Sequence, residues 1–236
     1  MEILDEPVVI QKLSHNFVNV IPDVDELFVT DNKVGYINTI NSFCKRIDEL
    51  ADKYYDPSNK EGEIHTWSVF KGDCLEVFVE YIIKTTGHDN RIGIYGYKPV
   101  QQDDYGVDGF GIGENKNPAT VQVKYRTGDY ILETNKDHLT NFTSHSYINH
   151  DVSPKDKKNM LIVTTARGIS YRADESGFTS VVRILNRDNL REMYDNRPMF
   201  WKGFWESMKK SRVEKTKEAP KQLREHQQEA ITAIFG

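Results

Sequence analysis

The residue types best suited to chemistry fall in one stretch of the chain. Tyr105-Gly106-Val107-Asp108-Gly109-Phe110-Gly111-Ile112-Gly113 leads into a Glu-Asn-Lys-Asn-Pro turn, and Thr120-Val121-Gln122-Val123-Lys124-Tyr125-Arg126 follows. A strand period of two places Gln122, Lys124 and Arg126 on one face and Val121, Val123 and Tyr125 on the other, so one polar face and one core face are expected. A hairpin across the turn would bring Asp108 beside Gln122 and Lys124. Phosphodiester hydrolysis needs such a set. A carboxylate and a second oxygen ligand hold a divalent cation, while a lysine orients or deprotonates the attacking water and offsets developing charge. The glycines at 106, 109, 111 and 113 are expected to leave the backbone near Asp108 uncovered for a phosphate or metal. An aspartate between glycines, with Gln and Lys on the wet face of an edge strand, is also an ordinary surface hairpin, and the residues alone leave both readings open.

The elements that must position this stretch can be read around it. Phe70, Cys74, Phe78, Tyr81 and Ile82 recur at helical spacing up to a C-cap at Gly87. Strand-like runs follow at 91–97, 105–112, 119–126, 160–165 and 180–185, with a helix expected over about 136–146. This order predicts an α/β fold with a central mixed sheet flanked by helices, and helical additions at both ends. Residues 1–66 read as a helical accessory region, with Ile37, Ile40, Phe43, Ile47 and Leu50 on one face. Residues 67–190 form the expected core. A helical connector spans 191–222, with an aromatic stripe at Phe200, Trp201, Phe204 and Trp205 that is expected to pack rather than stack on bases. Its later part is basic, with Lys209, Lys210, Arg212, Lys215, Lys217, Lys221 and Arg224 suited either to solvent or to phosphates.

Composition narrows the classes. The chain has 236 residues, with 31 Lys and Arg against 36 Asp and Glu, and its 12 Tyr, 11 Phe and 3 Trp are too many aromatics for a disordered polymer. Cys44 and Cys74 cannot form a disulfide framework or a cysteine-rich zinc site, which points to a reducing interior. The acidic start and the lack of ~18 consecutive apolar residues predict a cytoplasmic protein with no membrane association. A pI near 5.8 argues against coating nucleic acid by bulk charge and leaves a local basic patch open. The seven histidines show no zinc-site spacing, and Ser144-His145 sits in no recognisable triad.

Gly106-Val-Asp-Gly-Phe-Gly111 followed by Val121-Gln-Val-Lys-Tyr-Arg126 resembles the catalytic signature of the PD-(D/E)xK nucleases, in the Mrr-like branch where Gln often replaces the acid. Lys71-Gly-Asp-Cys-Leu-Glu76 is similar to the helix that supplies that family's glutamate. The order of these segments over roughly 67–185 looks like the nuclease domain of helicase-linked, single-polypeptide type I restriction enzymes. The proline of the family's name is absent, since Val107 precedes Asp108, and Gln122 brings no charge. The resemblance implies a restriction-endonuclease-like core and a Mg²⁺-dependent DNA endonuclease, with Mn²⁺ able to substitute. It implies that Asp108, Glu76 and Gln122 hold the metal, that Lys124 positions the water, and that the ends carry 5′-phosphates. Asp73 and Glu80, one turn from Glu76, are the fallback helix carboxylates. Lys71, Arg126, Lys209 and Lys210 are the candidate DNA contacts.

Pro220-Lys-Gln-Leu223-Arg-Glu-His-Gln227-Gln-Glu-Ala230-Ile231 resembles the opening helix of superfamily-two helicases, so 223–236 are expected to begin a motor that the sequence cuts short. No G-x-x-x-x-G-K-[ST] loop occurs, and ATP would enter only through the missing motor domain. The implied partners are DNA and a C-terminal helicase domain, with dimerisation or collision needed for a double-strand break. A bacterial, phage or other viral source fits this class. A DNA-binding module of the same fold that assists a helicase without cutting is the alternative, and an RNA or flap nuclease is a second one.

Overall fold

The computed structural model of the protein describes residues 7–19, 21, 23–28, 37–55, 67–100, 106–153, 155–156, 158–175 and 177–216. The expected helicase-like segment at 223–236, the end of the connector and Tyr105 lie outside the described residues.

A 3₁₀ turn at Asn16–Asn19 precedes helices α1 (Val24–Phe28), α2 (Ile40–Tyr54) and α3 (Trp67–Thr86). Strands β1 (Ile94–Pro99), β2 (Gly109–Gly113), β3 (Pro118–Lys124) and β4 (Ile131–Leu132) follow, then α4 (Leu139–Asn149), β5 (Met160–Thr164) and β6 (Gly168–Ile169). The described chain closes with α5 (Tyr171–Glu175), α6 (Phe178–Val181), β7 (Val182–Leu185), α7 (Arg187–Tyr194) and α8 (Pro198–Thr216). The main sheet has the order β1-β2-β3-β5-β7, and β4 and β6 form a small second sheet. β1, β2 and β3 are antiparallel, and β5 and β7 then join in parallel. The sheet is mixed and flanked by helices, as the pattern of the sequence predicts. A parallel neighbour requires a crossover, and α4 supplies it between β3 and β5.

Each face of the sheet carries its own core. On the α3 side, Val121, Val123, Tyr125, Leu161 and Val163 join α2, α3, α7 and α8 in one apolar cluster running from Leu13 to Met208. Phe43, Phe78, Tyr81, Tyr194, Phe200, Trp201 and Phe204 form its aromatic centre, with Phe78 stacked on Trp201 at 5.5 Å and Tyr194 on Phe200 at 4.4 Å. The stripe on α8 is therefore core packing. On the opposite face, Leu139 and Phe142 of α4 close over Met160, Ile162 and Val182.

β3 has the expected polar face and core face, but the polar face is not the wet face of an edge strand. β3 lies at the centre of the sheet and is buried from Ala119 to Val123. The crossover helix explains this, because Thr120, which shares a face with Gln122 and Lys124, hydrogen-bonds Ser146 of α4 at 2.8 Å. The glycines of β2 are not an open approach either. A Cβ on Gly109 would lie 2.3 Å from the Tyr97 hydroxyl, one on Gly111 2.6 Å from the Tyr95 carbonyl, and one on Gly113 2.5 Å from Asn159 Oδ1. Neighbouring groups fill the space these residues leave.

Candidate active site

Two elements and one loop bring the candidate residues together. β2 pairs with β3 from Gly109 opposite Val121 to Ile112 opposite Pro118, and one step further Asp108 comes level with Gln122. The Asp108 amide donates to the Val121 carbonyl at 2.9 Å, and its carboxylate Oδ2 accepts from the Val123 amide at 2.6 Å. These bonds pin the side chain across the end of β3. The 14-residue gap in sequence is closed by the hairpin, as its turn residues predict.

α3 approaches from the first face. Glu76 and Asp73 stand one turn apart on it, both half-buried. Asp108 keeps a window to solvent, yet protein closely surrounds its carboxyl group. Burial, reinforced by the Glu76 charge, pushes its pKa up to about 8, against the Val123 amide, Lys124 and His15, which pull it down. Asp73 is pushed up to about 7 by burial and by Glu76, with His15 opposing. Glu76 thus lies within electrostatic reach of both Asp73 and Asp108.

Gln122 occupies the other side of β3. It is fully buried, and neither Oε1 nor Nε2 has a hydrogen-bond partner among the described residues. A buried primary amide without partners costs about 1–3 kcal/mol. Gly106 borders it: with φ of +95° this residue adopts a backbone open to glycine, and a Cβ there would sit 2.8 Å from Nε2. Lys124 closes the set at the end of β3, partly exposed, with no salt bridge to its ammonium among the described residues.

The helix carboxylates separate by their partners. Glu80 is fully buried and accepts from the Ser14 amide at 2.7 Å, the Ser14 hydroxyl at 2.6 Å, the His15 amide at 3.0 Å and Lys84 Nζ at 2.6 Å. Burial favours the neutral acid, but the bonds from Lys84 and Ser14 outweigh it and lower the pKa. Its oxygens are committed to holding the N-terminal segment. Glu76 and Asp73 are the residues left to face a ligand.

His15 is the site residue that sequence reasoning missed. Its Nε2 lies 2.9 Å from Glu76 Oε2, and ligand atoms of His15, Asp73 and Glu76 all lie within 4.8 Å of one another. Burial works against the imidazolium, but the Glu76 hydrogen bond and the charges of Glu76, Asp73 and Glu80 prevail and raise its pKa. The separation of 61 positions from Glu76 carries no local signal.

The candidate DNA contacts fare unequally. Lys71 is buried, ion-paired with Asp48 at 2.6 Å and seated 3.3 Å from the Trp67 ring centroid. Asp48 also accepts from the Tyr125 hydroxyl at 3.0 Å. Lys71 therefore ties α2 to α3 and β3 and does not face a phosphate, because only a paired ammonium is tolerated at that depth. Arg126 is held by Asp137, with Nε at 3.0 Å from Oδ1, and its head remains partly exposed. Lys209 lies 3.3 Å from Asp25 and over the Trp205 ring, while Lys210 is exposed.

Set against known proteins, the chain matches no family model, no curated protein and no solved structure. Among the described residues, no helix is long and apolar enough to cross a membrane.

Proposed function

We propose that the protein is a metal-dependent DNA endonuclease with a restriction-endonuclease-like core. The observation that carries this reading is the meeting of Glu76, Asp108 and Lys124 within electrostatic reach at the end of β3, next to the unpartnered amide of Gln122. The fold supports it through order: a helix bearing Glu76, three antiparallel strands with Asp108 just before the second and Gln122-x-Lys124 on the third, a crossover helix and a parallel strand. That is the arrangement the PD-(D/E)xK resemblance implies.

The donor set fits a divalent cation. Burial and the Glu76 charge disfavour the ionised forms of Asp108 and Asp73, which a divalent cation would relieve, and Gln122 Oε1 is a buried acceptor without a hydrogen-bond donor among the described residues. Asp108 and Glu76 would hold Mg²⁺ or Mn²⁺; the resemblance adds Gln122, whose side chain lies on the other face of β3 from Glu76. The cation would polarise the phosphate and neutralise charge on the scissile group. Lys124 orients the attacking water and offsets charge as the phosphorus becomes five-coordinate. The Val123 amide fixes the Asp108 rotamer so that its other oxygen is available to a ligand. Control of cleavage by a translocating motor belongs to the same reading and is supported by the sequence of residues 220–231.

Supercoiled plasmid incubated with the protein and Mg²⁺ or Mn²⁺ tests the proposal. Nicking that requires metal and disappears in both Asp108→Ala and Lys124→Ala is expected. Binding without metal-dependent nicking would replace the nuclease with the DNA-binding module.

A further inference from the structure

We propose that His15 is a positioning residue: delivered by the strap formed by residues 9–15, it donates a hydrogen bond from Nε2 to Glu76 and fixes which carboxylate oxygen faces the metal. The inference deepens the proposed function and rests on it for the metal's role alone.

The strap is anchored along its length. Residues 9–15 have no regular secondary structure, so their backbone groups need partners elsewhere, and side chains of α3 and α8 provide them. The Val9 carbonyl accepts from the Tyr81 hydroxyl at 2.8 Å, and that of Lys12 accepts from Lys84 Nζ at 2.7 Å. The amides of Gln11 and Leu13 donate to the hydroxyls of Ser207 and Ser211, one turn apart on α8, at 2.8 Å each. Gly203 lets the strap lie close against α8, since a Cβ there would sit 2.5 Å from the Val9 carbonyl oxygen. Glu80 then takes the amides of Ser14 and His15. The imidazole is thereby set beside Glu76 with little freedom.

The ring's other nitrogen decides its role. Nδ1 accepts from the Phe17 amide at 3.2 Å, so the neutral ring carries its proton on Nε2, the atom facing Glu76. A metal on Nε2 would need that lone pair and a proton on Nδ1, directed at the Phe17 N–H. The arrangement suits a donor to Glu76 better than a metal ligand. Hydrogen bonds that orient a ligating group typically change metal affinity by about 10–100-fold.

The experiment uses the whole chain and Mn²⁺ as the probe. Long-range ¹⁵N–¹H NMR of the metal-free protein should show the His15 Nε2–H tautomer at a pH where the ring is neutral. Calorimetric titration should show Mn²⁺ bound about 10–100-fold more weakly by His15→Ala, most of the loss restored in His15→Gln, which keeps an N–H donor, and the largest loss in Glu76→Ala. An Nδ1–H tautomer, unchanged affinity in His15→Ala, or a loss in His15→Gln as large as in Glu76→Ala would each overturn the proposal. Failure of the nuclease reading looks different: the wild-type protein would bind no Mn²⁺, while the tautomer measurement would still decide whether the hydrogen bond exists.

Discussion

Glu80 and Asp108 show two treatments of a carboxyl group on the same side of the molecule. Glu80 is sealed from solvent, yet four hydrogen bonds from Ser14, His15 and Lys84 keep it ionised. Asp108 receives one backbone hydrogen bond, faces Glu76, and holds its proton up to about pH 8. Burial alone therefore does not decide the charge state; the supply of donors does. The first arrangement is a finished structural anchor. The second is short of positive charge, and a divalent cation would make up the difference.

The sharpest way to break this comparison is to remove Asp108 or Lys124. Each alanine variant should lose about 10³-fold or more of metal-dependent nicking while keeping a near-normal unfolding midpoint. A large fall in stability in either would make the residue structural, like Glu80. Glu80→Ala should do the reverse in kind, lowering unfolding free energy by about 3 kcal/mol in urea titration, because Lys84 and the strap amides lose their acceptor. A change below about 0.5 kcal/mol would mean that Glu80 anchors nothing.

The pH dependences should run in opposite directions. Asp108 and Asp73 give up protons near 3.8 when unfolded, but only at about 8 and about 7 when folded. The folded state therefore binds more protons in this window, and the metal-free protein should lose stability as pH rises from about 4 to 8. The slope should be on the order of 1 kcal/mol per pH unit. Glu80, with its pKa lowered, contributes stability above its unfolded pKa that is lost on acidification. Asp108→Asn should be more stable than the parent at pH 8 and close to it at pH 4, measured by urea unfolding without metal. A parent whose stability stayed flat from pH 4 to 8 would remove the crowded-anion account.

Gln122→Glu should lower the Mg²⁺ concentration needed for half-maximal cleavage and destabilise the metal-free protein by about 1–3 kcal/mol, since another carboxylate would enter a dry position. An unchanged Mg²⁺ titration would mean that Gln122 does not touch the metal. The smallest effect is expected at Lys210, where substitution by alanine should reduce the salt dependence of DNA binding by at most about one counterion.

Much of the fold was legible because its signals are local. The period-two run of β3, the helical spacing of Phe70, Cys74 and Phe78, and the polar turn at 114–118 each lie within a short window. The pairing of Asp108 with the end of β3 followed from that turn. Three features depended on partners far along the chain. Gln122 was expected on an accessible polar face and is fully buried, Lys71 looked like a phosphate contact until Asp48 and Trp67 enclosed it, and His15 had no apparent role until the strap brought it to α3. An alternating strand announces its two faces but not which of them a crossover helix will bury. β4, β6, α1, α5 and α6, of two to five residues each, were too short to leave a periodic signal.

The attachment of the strap to α8 has a mechanical consequence. Ser207 and Ser211 pass their hydroxyl protons to the carbonyls of Gly203 and Ser207 and take the strap's N–H groups on the same oxygens, so that strap and helix share rungs one turn apart. A pull along the axis of α8 would load those rungs together in shear rather than open them one at a time, and the force would reach Glu80 and His15 before any strand of the sheet had to part.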